Sequence, residues 1–231
     1  GTGSFLDRNL ISSGDGKTVI ETSNTIIATG PESSMPTFLY KNRRIVDSRG
    51  FLDANKLPSS IILLGGGMIG CELACMASQL GVKVTLIEML EDILMILDSD
   101  IRQELRNYME NDLSIRILTG KPLDKIRARK DSVGGKLGKE HIEAELLLVA
   151  VGRDPVTEGL ALRNAGLATN EAGYIETDEF CRTSVARIFA VGDITGVSQL
   201  AHAATSQGIT AAENAVMEKR RRKETVIPAC I

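Results

Sequence analysis

One stretch constrains the fold more than any other: Ile61 to Glu88, IILLGGGMIGCELACMASQLGVKVTLIE. Its apolar start, Ile61 to Leu64, predicts a buried strand, and the glycines that follow predict a turn. A helix then runs to about Leu80, and Gly81 leads into a second strand, Val82 to Ile87. The turn has the pattern G-x-G-x-x-G at Gly65, Gly67 and Gly70. In such a turn the first glycine permits the tight bend, the second lets a pyrophosphate approach the backbone, and the third lets the helix lie close on the strand. The unpaired N–H groups and macrodipole at the helix start favour negative charge there. Glu88 ends the second strand eighteen positions after Gly70, where a carboxylate can accept a hydrogen bond from a ribose 2′-hydroxyl. A glycine-rich turn alone is ordinary. With two strands, a helix and an acid at this distance it reads as a dinucleotide-binding βαβ unit.

Charge and length narrow the remaining classes. The 231 residues carry 27 Lys and Arg against 30 Asp and Glu, a net charge of −3, so no global basic field recruits nucleic acid or an anionic membrane. The longest apolar runs, Ile61 to Leu64 and Leu146 to Val151, fall far short of the ~20 residues a spanning helix needs. No signal peptide is recognisable, and a cytoplasmic setting is expected. The sequence opens on Gly1 rather than Met, from which an internal piece of a larger protein is expected. Cys71, Cys75, Cys181 and Cys230 do not make a secreted disulfide framework in a chain of this length. Cys71 and Cys75 lie one helical turn apart, so a redox pair and two small buried hydrophobes are both open readings, the second favoured by close helix–sheet packing. No Cys/His spacing matches a zinc site.

Along the chain, Ser12 to Lys17 reads as a hairpin turn between LDRNLI and TVIETSNTIIATG. Thr25 to Ala28 reads as a strand stopped at Thr29-Gly30-Pro31. Glu32 to Ser60 is turn-rich and predicts a surface connector. After an irregular apolar run, Met89 to Asp98, an N-cap at Asp98 or Ser99 predicts a helix to about Asn111, with Ile101, Leu105 and Tyr108 or Met109 on its inner face. Ile115 to Leu118 predicts a third strand in βαβ order, and Pro122 to Glu143 predicts hairpin strands at an edge. Glu145 to Val151, apolar on both faces, predicts a central parallel strand. It ends in Gly152-Arg153-Asp154-Pro155, a loop at the strand end where open α/β sheets bind ligands. Arg187 to Val191 predicts another buried strand ending in Gly192-Asp193, followed by a small-residue helix from Ala201 to Lys219 that Gly208 weakens slightly. The run Lys219 to Lys223 (KRRRK) fits a helix C-terminus better than a nucleic-acid contact in an acidic chain.

Taken together, ATG (Ala28 to Gly30), GGGMIGCE (Gly65 to Glu72), VGR-P (Val151 to Pro155) and FAVGD (Phe189 to Asp193) resemble the pyridine-nucleotide disulfide oxidoreductase family in order and approximate spacing. The likeness spans essentially the whole chain. It is strongest toward the dihydrolipoamide dehydrogenases, through VDSRGFLDANKLPSSIILLGGGMIGCE, LIEMLEDIL and the Gln199 to His202 run. The resemblance implies an α/β, three-layer, Rossmann-like FAD/NAD(P)-binding fold with a parallel sheet and a small antiparallel β-meander. It divides the chain into 1–31, a remnant of an FAD-binding domain; 32–153, an NAD-binding domain; and 154–231, a return segment of the FAD-binding domain that ends before a dimerisation domain.

Residue by residue, the resemblance implies that Gly65, Gly67, Met68, Ile69, Gly70, Glu72, Glu88, Gly152 and Arg153 serve NAD, with Met68 toward the flavin and Glu72 near the nicotinamide. It implies that Thr29, Gly30, Asp193, Gln199, Leu200, Ala201 and His202 serve FAD. Simpler roles stay open: Glu72 as a first-turn acid complementing a helix dipole, and Asp193 as an N-cap. His202 invites a catalytic-base reading, but the family's base histidine belongs to a later domain. Met89, Leu90 and Glu91 follow Glu88 where NADP users carry basic residues, so NAD is expected. The implied parent is a homodimeric NAD-dependent flavin oxidoreductase that oxidises dihydrolipoamide within a lipoamide-bearing dehydrogenase complex. Another flavin disulfide reductase, such as a mercuric reductase, and a non-catalytic nucleotide-binding module are the alternatives. The family's second βαβ fingerprint, its C-x4-C disulfide and its His-x4-Glu pair do not occur in these 231 residues, so catalysis by this piece alone is not expected. Pro122 replaces an apolar residue near the family's adenine pocket, and ILMILD lacks a family proline.

Overall fold

The computed structural model describes residues 1–14, 16–217 and 221–229. In chain order, β1 (Gly3–Phe5), β2 (Leu10–Ser13) and β3 (Val19–Glu21) precede β4 (Thr25–Ile27), β5 (Pro31–Ser33) and β6 (Ile45–Asp47). The short α1 (Ser48–Leu52) leads to β7 (Ser60–Leu64), α2 (Met68–Gln79), β8 (Lys83–Ile87), α3 (Ser99–Asn111) and β9 (Arg116–Leu118). Then come β10 (Asp124–Ala128), β11 (Val133–Leu137), β12 (Glu140–Ala144), β13 (Leu146–Val149), β14 (Arg153–Pro155), β15 (Ile188–Ala190) and α4 (Ala201–Val216). The described residues form two compact units: Ser33–Arg153, and Gly1–Glu32 with the described residues after Arg153.

The Ser33–Arg153 unit is built on a five-stranded parallel sheet in the order β6-β13-β7-β8-β9. Alternation along the strands divides its core. Ile61, Leu63, Val84, Leu86 and Leu148 face a cluster with Cys71, Ala74 and Ala77 of α2 and Met109 of α3. Ile62, Leu64, Leu147 and Val149 face the other way, toward Val133, Ile142 and Ala144 of the antiparallel meander β10-β11-β12. The result is three layers, helices, sheet and meander, because central parallel strands are apolar on both faces and need two covers.

In the other unit, β15 pairs in parallel with β4. Ile188 and Ala190 pack with Phe5, Ile27 and Leu162, while Phe189 and Val191 pack against Ala211 of α4. β2 and β3 pair as the expected hairpin, and β1 extends it to a three-stranded antiparallel sheet; the predicted turn residue Asp15 lies outside the described residues.

Four expectations need correction. The connector from Glu32 to Ser60 contains β6, whose Ile45 is buried beside β13, and α1, which buries Phe51 under an Asp47 cap on the Gly50 N–H (2.8 Å). The Pro122 to Glu143 strands form their own sheet against a face of the parallel sheet, not its edge. On α3, Met109 is fully buried but Ile101 and Tyr108 are 50% and 44% exposed, so the inner face is narrower than the periodicity predicted. α4 ends at Val216, short of Lys219; within the basic run Lys219 and Arg220 lie outside the described residues, and Arg221 pairs with Glu213 at 3.0 Å.

Candidate functional site

The glycine turn joins β7 to α2, and packing explains two of its three motif glycines. Gly65 has φ +106°, and a Cβ there would collide with the Ala150 carbonyl. A Cβ on Gly70 would collide with the Gly65 carbonyl, so a side chain would push α2 off the strand. Gly67 is different. It caps α2 and has nothing within 4 Å of where its Cβ would stand. The fold itself therefore leaves its side-chain space open, directly before the N–H groups of the first α2 turn, which have no partner four residues back. α2 has no acidic residue in its first turn. Glu72 is its fifth residue, so the first-turn dipole role offered for it does not hold; its side chain is exposed.

Glu88 stands beside this turn in a position the sequence only half disclosed. It is 9% exposed; one carboxylate oxygen accepts the Gly66 N–H at 2.6 Å and the other accepts the Leu90 N–H at 2.8 Å. A carboxylate has about four acceptor sites, so capacity remains for a further donor. The segment after β8 folds back as a brace. The Leu94 N–H donates to the Gly66 carbonyl at 2.8 Å, and Ile93 and Leu94 are buried under the turn. A Cβ on Gly66 would stand 2.8 Å from Ile93 Cγ2, which makes this fourth glycine a packing requirement as well. Asp92 anchors the brace to α3 through Arg106 at 2.6 Å and Arg102 at 3.3 Å. Sequence reading missed Asp92, Arg102 and Arg106; the run around Asp92 has no period, and the two arginines fall off the apolar face of α3, where helical periodicity names no partner.

At the end of β13, Gly152 has φ +152° and its carbonyl accepts the Ser34 N–H at 3.0 Å, leaving Gly152 exposed and Arg153 half-buried. In the other unit, the Thr29 hydroxyl donates to the Val156 carbonyl at 2.7 Å and the Val156 N–H to the Gly30 carbonyl at 2.9 Å. Asp193 lies half-buried in a 3-10 turn, Gly192–Thr195, whose cap is Val191; the Asp193 side chain makes no capping bond. The buried Gln207 of α4 accepts the Gly192 N–H at 2.7 Å and holds that turn. No motif marked Gln207; a lone polar residue in an Ala-rich helix was the available signal. Gln199 donates to the Tyr174 hydroxyl at 3.2 Å, Leu200 caps α4, Ala201 is exposed, and the exposed His202 donates from Nε2 to the Pro228 carbonyl at 2.7 Å.

The cysteines offer little nucleophilic chemistry. Burial first, with the nearby Cys75, Glu88, Glu72 and Asp92, pushes the Cys71 thiol up to about 12, and its Sγ leans on the Gly66 carbonyl at 3.5 Å. Burial also raises Cys75 and Cys181, so the thiolates that would react are scarce near neutral pH. Cys230 lies outside the described residues. Among the described residues no helix is long and apolar enough to cross a membrane.

The family described as pyridine nucleotide-disulphide oxidoreductase matches residues 1–208. The chain belongs to this family. Within it, dihydrolipoyl dehydrogenase from Chlamydia pneumoniae is 35% identical over 232 residues, covering 100% of this chain and 50% of the relative. That from Bacillus subtilis (strain 168) is 35% identical over 236 residues, covering 100% and 51%. Among solved structures, the HOCl-induced flavoprotein disulfide reductase RclA from Escherichia coli superposes with a TM-score of 0.89 at 28% identity, over 96% of this chain and 51% of that one. LpdA from Mycobacterium tuberculosis gives 0.86 at 25%, over 96% and 50%. The chain thus spans about half the length of the relatives it matches. The parallel sheet with its antiparallel meander is the Rossmann-like FAD/NAD(P)-binding fold of these flavoproteins.

Proposed function

We propose that the chain is the NAD-binding part, with some of the FAD-binding part, of a dihydrolipoyl dehydrogenase-like flavoenzyme. The single observation that carries this is the open space at Gly67 before the α2 N-terminus, with Glu88 anchored beside it. In this reading Gly65 and Gly70 shape the turn, and the N–H groups from Gly67 to Ile69 hold the pyrophosphate. Glu88 accepts from the adenosine ribose with its remaining lone pairs. Gly152, Arg153, Glu72 and Met68 serve the nicotinamide side. Thr29, Gly30, Asp193 and Gln199 through His202 serve the flavin; the fit rests on an Asp193 carboxylate that takes no hydrogen bond among the described residues. When bound, flavin supplies passage of an electron pair between a dithiol and nicotinamide, while the protein binds and orients.

NAD is favoured over NADP on charge. A 2′-phosphate carries roughly −1.5 to −2 at neutral pH, and Glu88 is followed by the exposed, uncharged Met89 and Leu90. The parent reaction in this reading is dihydrolipoamide oxidation by NAD in a homodimer serving a lipoamide-bearing complex. The 231 residues, lacking C-x4-C and His-x4-Glu, do not turn over by themselves. The 35% identity to dihydrolipoyl dehydrogenases, against 28% to RclA, favours this over another flavin disulfide reductase.

Calorimetric titration tests the reading. NADH is expected to bind saturably, NADPH at least about tenfold more weakly, and FAD weakly. Absence of saturable NADH binding, or equal affinity for NADPH, would overturn it.

A further inference from the structure

The outer face of the meander carries a charge arrangement that the dinucleotide turn does not use. The register places Arg127 opposite Gly134 and Gly134 opposite Glu143, and Lys136 opposite His141. These residues, with Lys125, Arg129 and Ser132, line a groove of about 270 Å3. Val133, Ile142 and Ala144 point the other way, into the core. A Cβ on Gly134 would collide with the Ile142 carbonyl, so the centre of the face is bare backbone. The groove therefore has a floor without side chains and walls of cations.

Its charge is unbalanced. Lys125, Arg127, Arg129 and Lys136 line it with one carboxylate, Glu143, which is already engaged, and a second, Asp124, stands opposite Lys136 in register. Hydrogen bonds from Ser132 and His141 and the charge of Arg129 hold Glu143 below the ordinary carboxylate range, with His141 Nε2 at 3.1 Å and Arg129 at 3.7 Å. Among the described residues, the side chains of Lys125, Arg127 and Lys136 make no ion pair. Elsewhere on the same meander Glu140 neutralises Arg116 through two bonds of 2.7 and 2.9 Å. Clustered like charges repel, and in a chain of net charge −3 the excess here is local rather than compositional.

We propose that this groove binds a compact oligophosphate, free or carried by a nucleotide. Several converging cations call for an anion with more than one charge. Arginine's planar fork matches phosphate oxygens. The volume lies just under the ~300–1,000 Å3 of clefts that take drug-sized ligands, so it admits a phosphate chain rather than a whole dinucleotide.

Tripolyphosphate, pyrophosphate and orthophosphate are titrated calorimetrically into the protein at low and high salt. Affinity is expected to fall in that order and to weaken with salt. The double variant Arg127→Ala/Lys136→Ala is expected to lose at least about tenfold in tripolyphosphate affinity, with an unchanged circular dichroism spectrum. The charge-conserving pair Arg127→Lys/Lys136→Arg is expected to retain binding and guards against loss through misfolding. Gly67→Ala is expected to leave it unchanged, which separates the groove from the glycine turn. ATP binding more tightly than tripolyphosphate assigns a nucleotide; equal affinity assigns the free phosphate chain. Binding that survives Arg127→Ala/Lys136→Ala but is lost in Gly67→Ala, or that is absent for tripolyphosphate, overturns the proposal.

Discussion

Two backbone N–H groups, those of Gly66 and Leu90, depend on one carboxylate. Glutamine at that position has one carbonyl oxygen, so Glu88→Gln leaves one N–H facing an amide N–H. An unsatisfied buried donor costs about 1–3 kcal/mol, and urea denaturation is expected to show a loss of that size; an unchanged midpoint would show that the two bonds are dispensable. Cys71 makes a second residue-scale prediction. The native chain keeps its proton up to about 12, while the unfolded thiol ionises near ~8.5. Between these values the native state holds more protons than the unfolded state, so stability falls as pH rises. Thermal unfolding is expected to weaken across that alkaline window, less steeply in Cys71→Ala, and iodoacetamide at pH 8 is expected to spare Cys71 until the chain unfolds. Glu88 itself was legible as a strand-end acid, but its two partners are main-chain groups, which no residue type announces.

The glycine turn separates two kinds of constraint within one element. Gly67→Ala finds open space at φ −77° and is expected to change stability by no more than about 1 kcal/mol. It is nonetheless expected to weaken NADH binding at least about tenfold. Gly70→Ala forces a Cβ against the Gly65 carbonyl, a main-chain group that cannot swing aside, and is expected to cost about 1–3 kcal/mol. Denaturation and titration of the two variants side by side check this; equal stability losses would remove the distinction. β7, α2 and β8 could be read from sequence because an unbroken apolar run, a glycine turn, a helix-length segment and a second apolar run follow one another without interruption. β6 could not, since three residues show no period, and Ile45 is buried only because β13, a hundred positions later, pairs with it. The exposed Ile101 and Tyr108 of α3 make the same point: periodicity names a face, but the neighbours set how wide a face is covered.

At the scale of the whole molecule, two units share one chain that crosses between them twice, through β5 and β14. If the Ser33–Arg153 unit alone holds the pyridine nucleotide, NADH is expected to slow amide hydrogen exchange around Gly65–Glu88 and to leave β4, β15 and α4 unchanged. Protection spread equally over both units would count against that assignment. The βαβ unit, the positions of its motif glycines, the acid at its end and the family motifs in order are legible in the residues alone, because backbone freedom and apolar runs are properties of neighbouring residues. Tertiary structure alone decided that Glu88 and the Asp92 brace lock the turn, that Gln207 holds Gly192, and that four cations of the meander converge on a groove. Each of those rests on strand pairing, ion pairs or hydrogen bonds between residues separated in sequence, and none of these exists until the chain has folded.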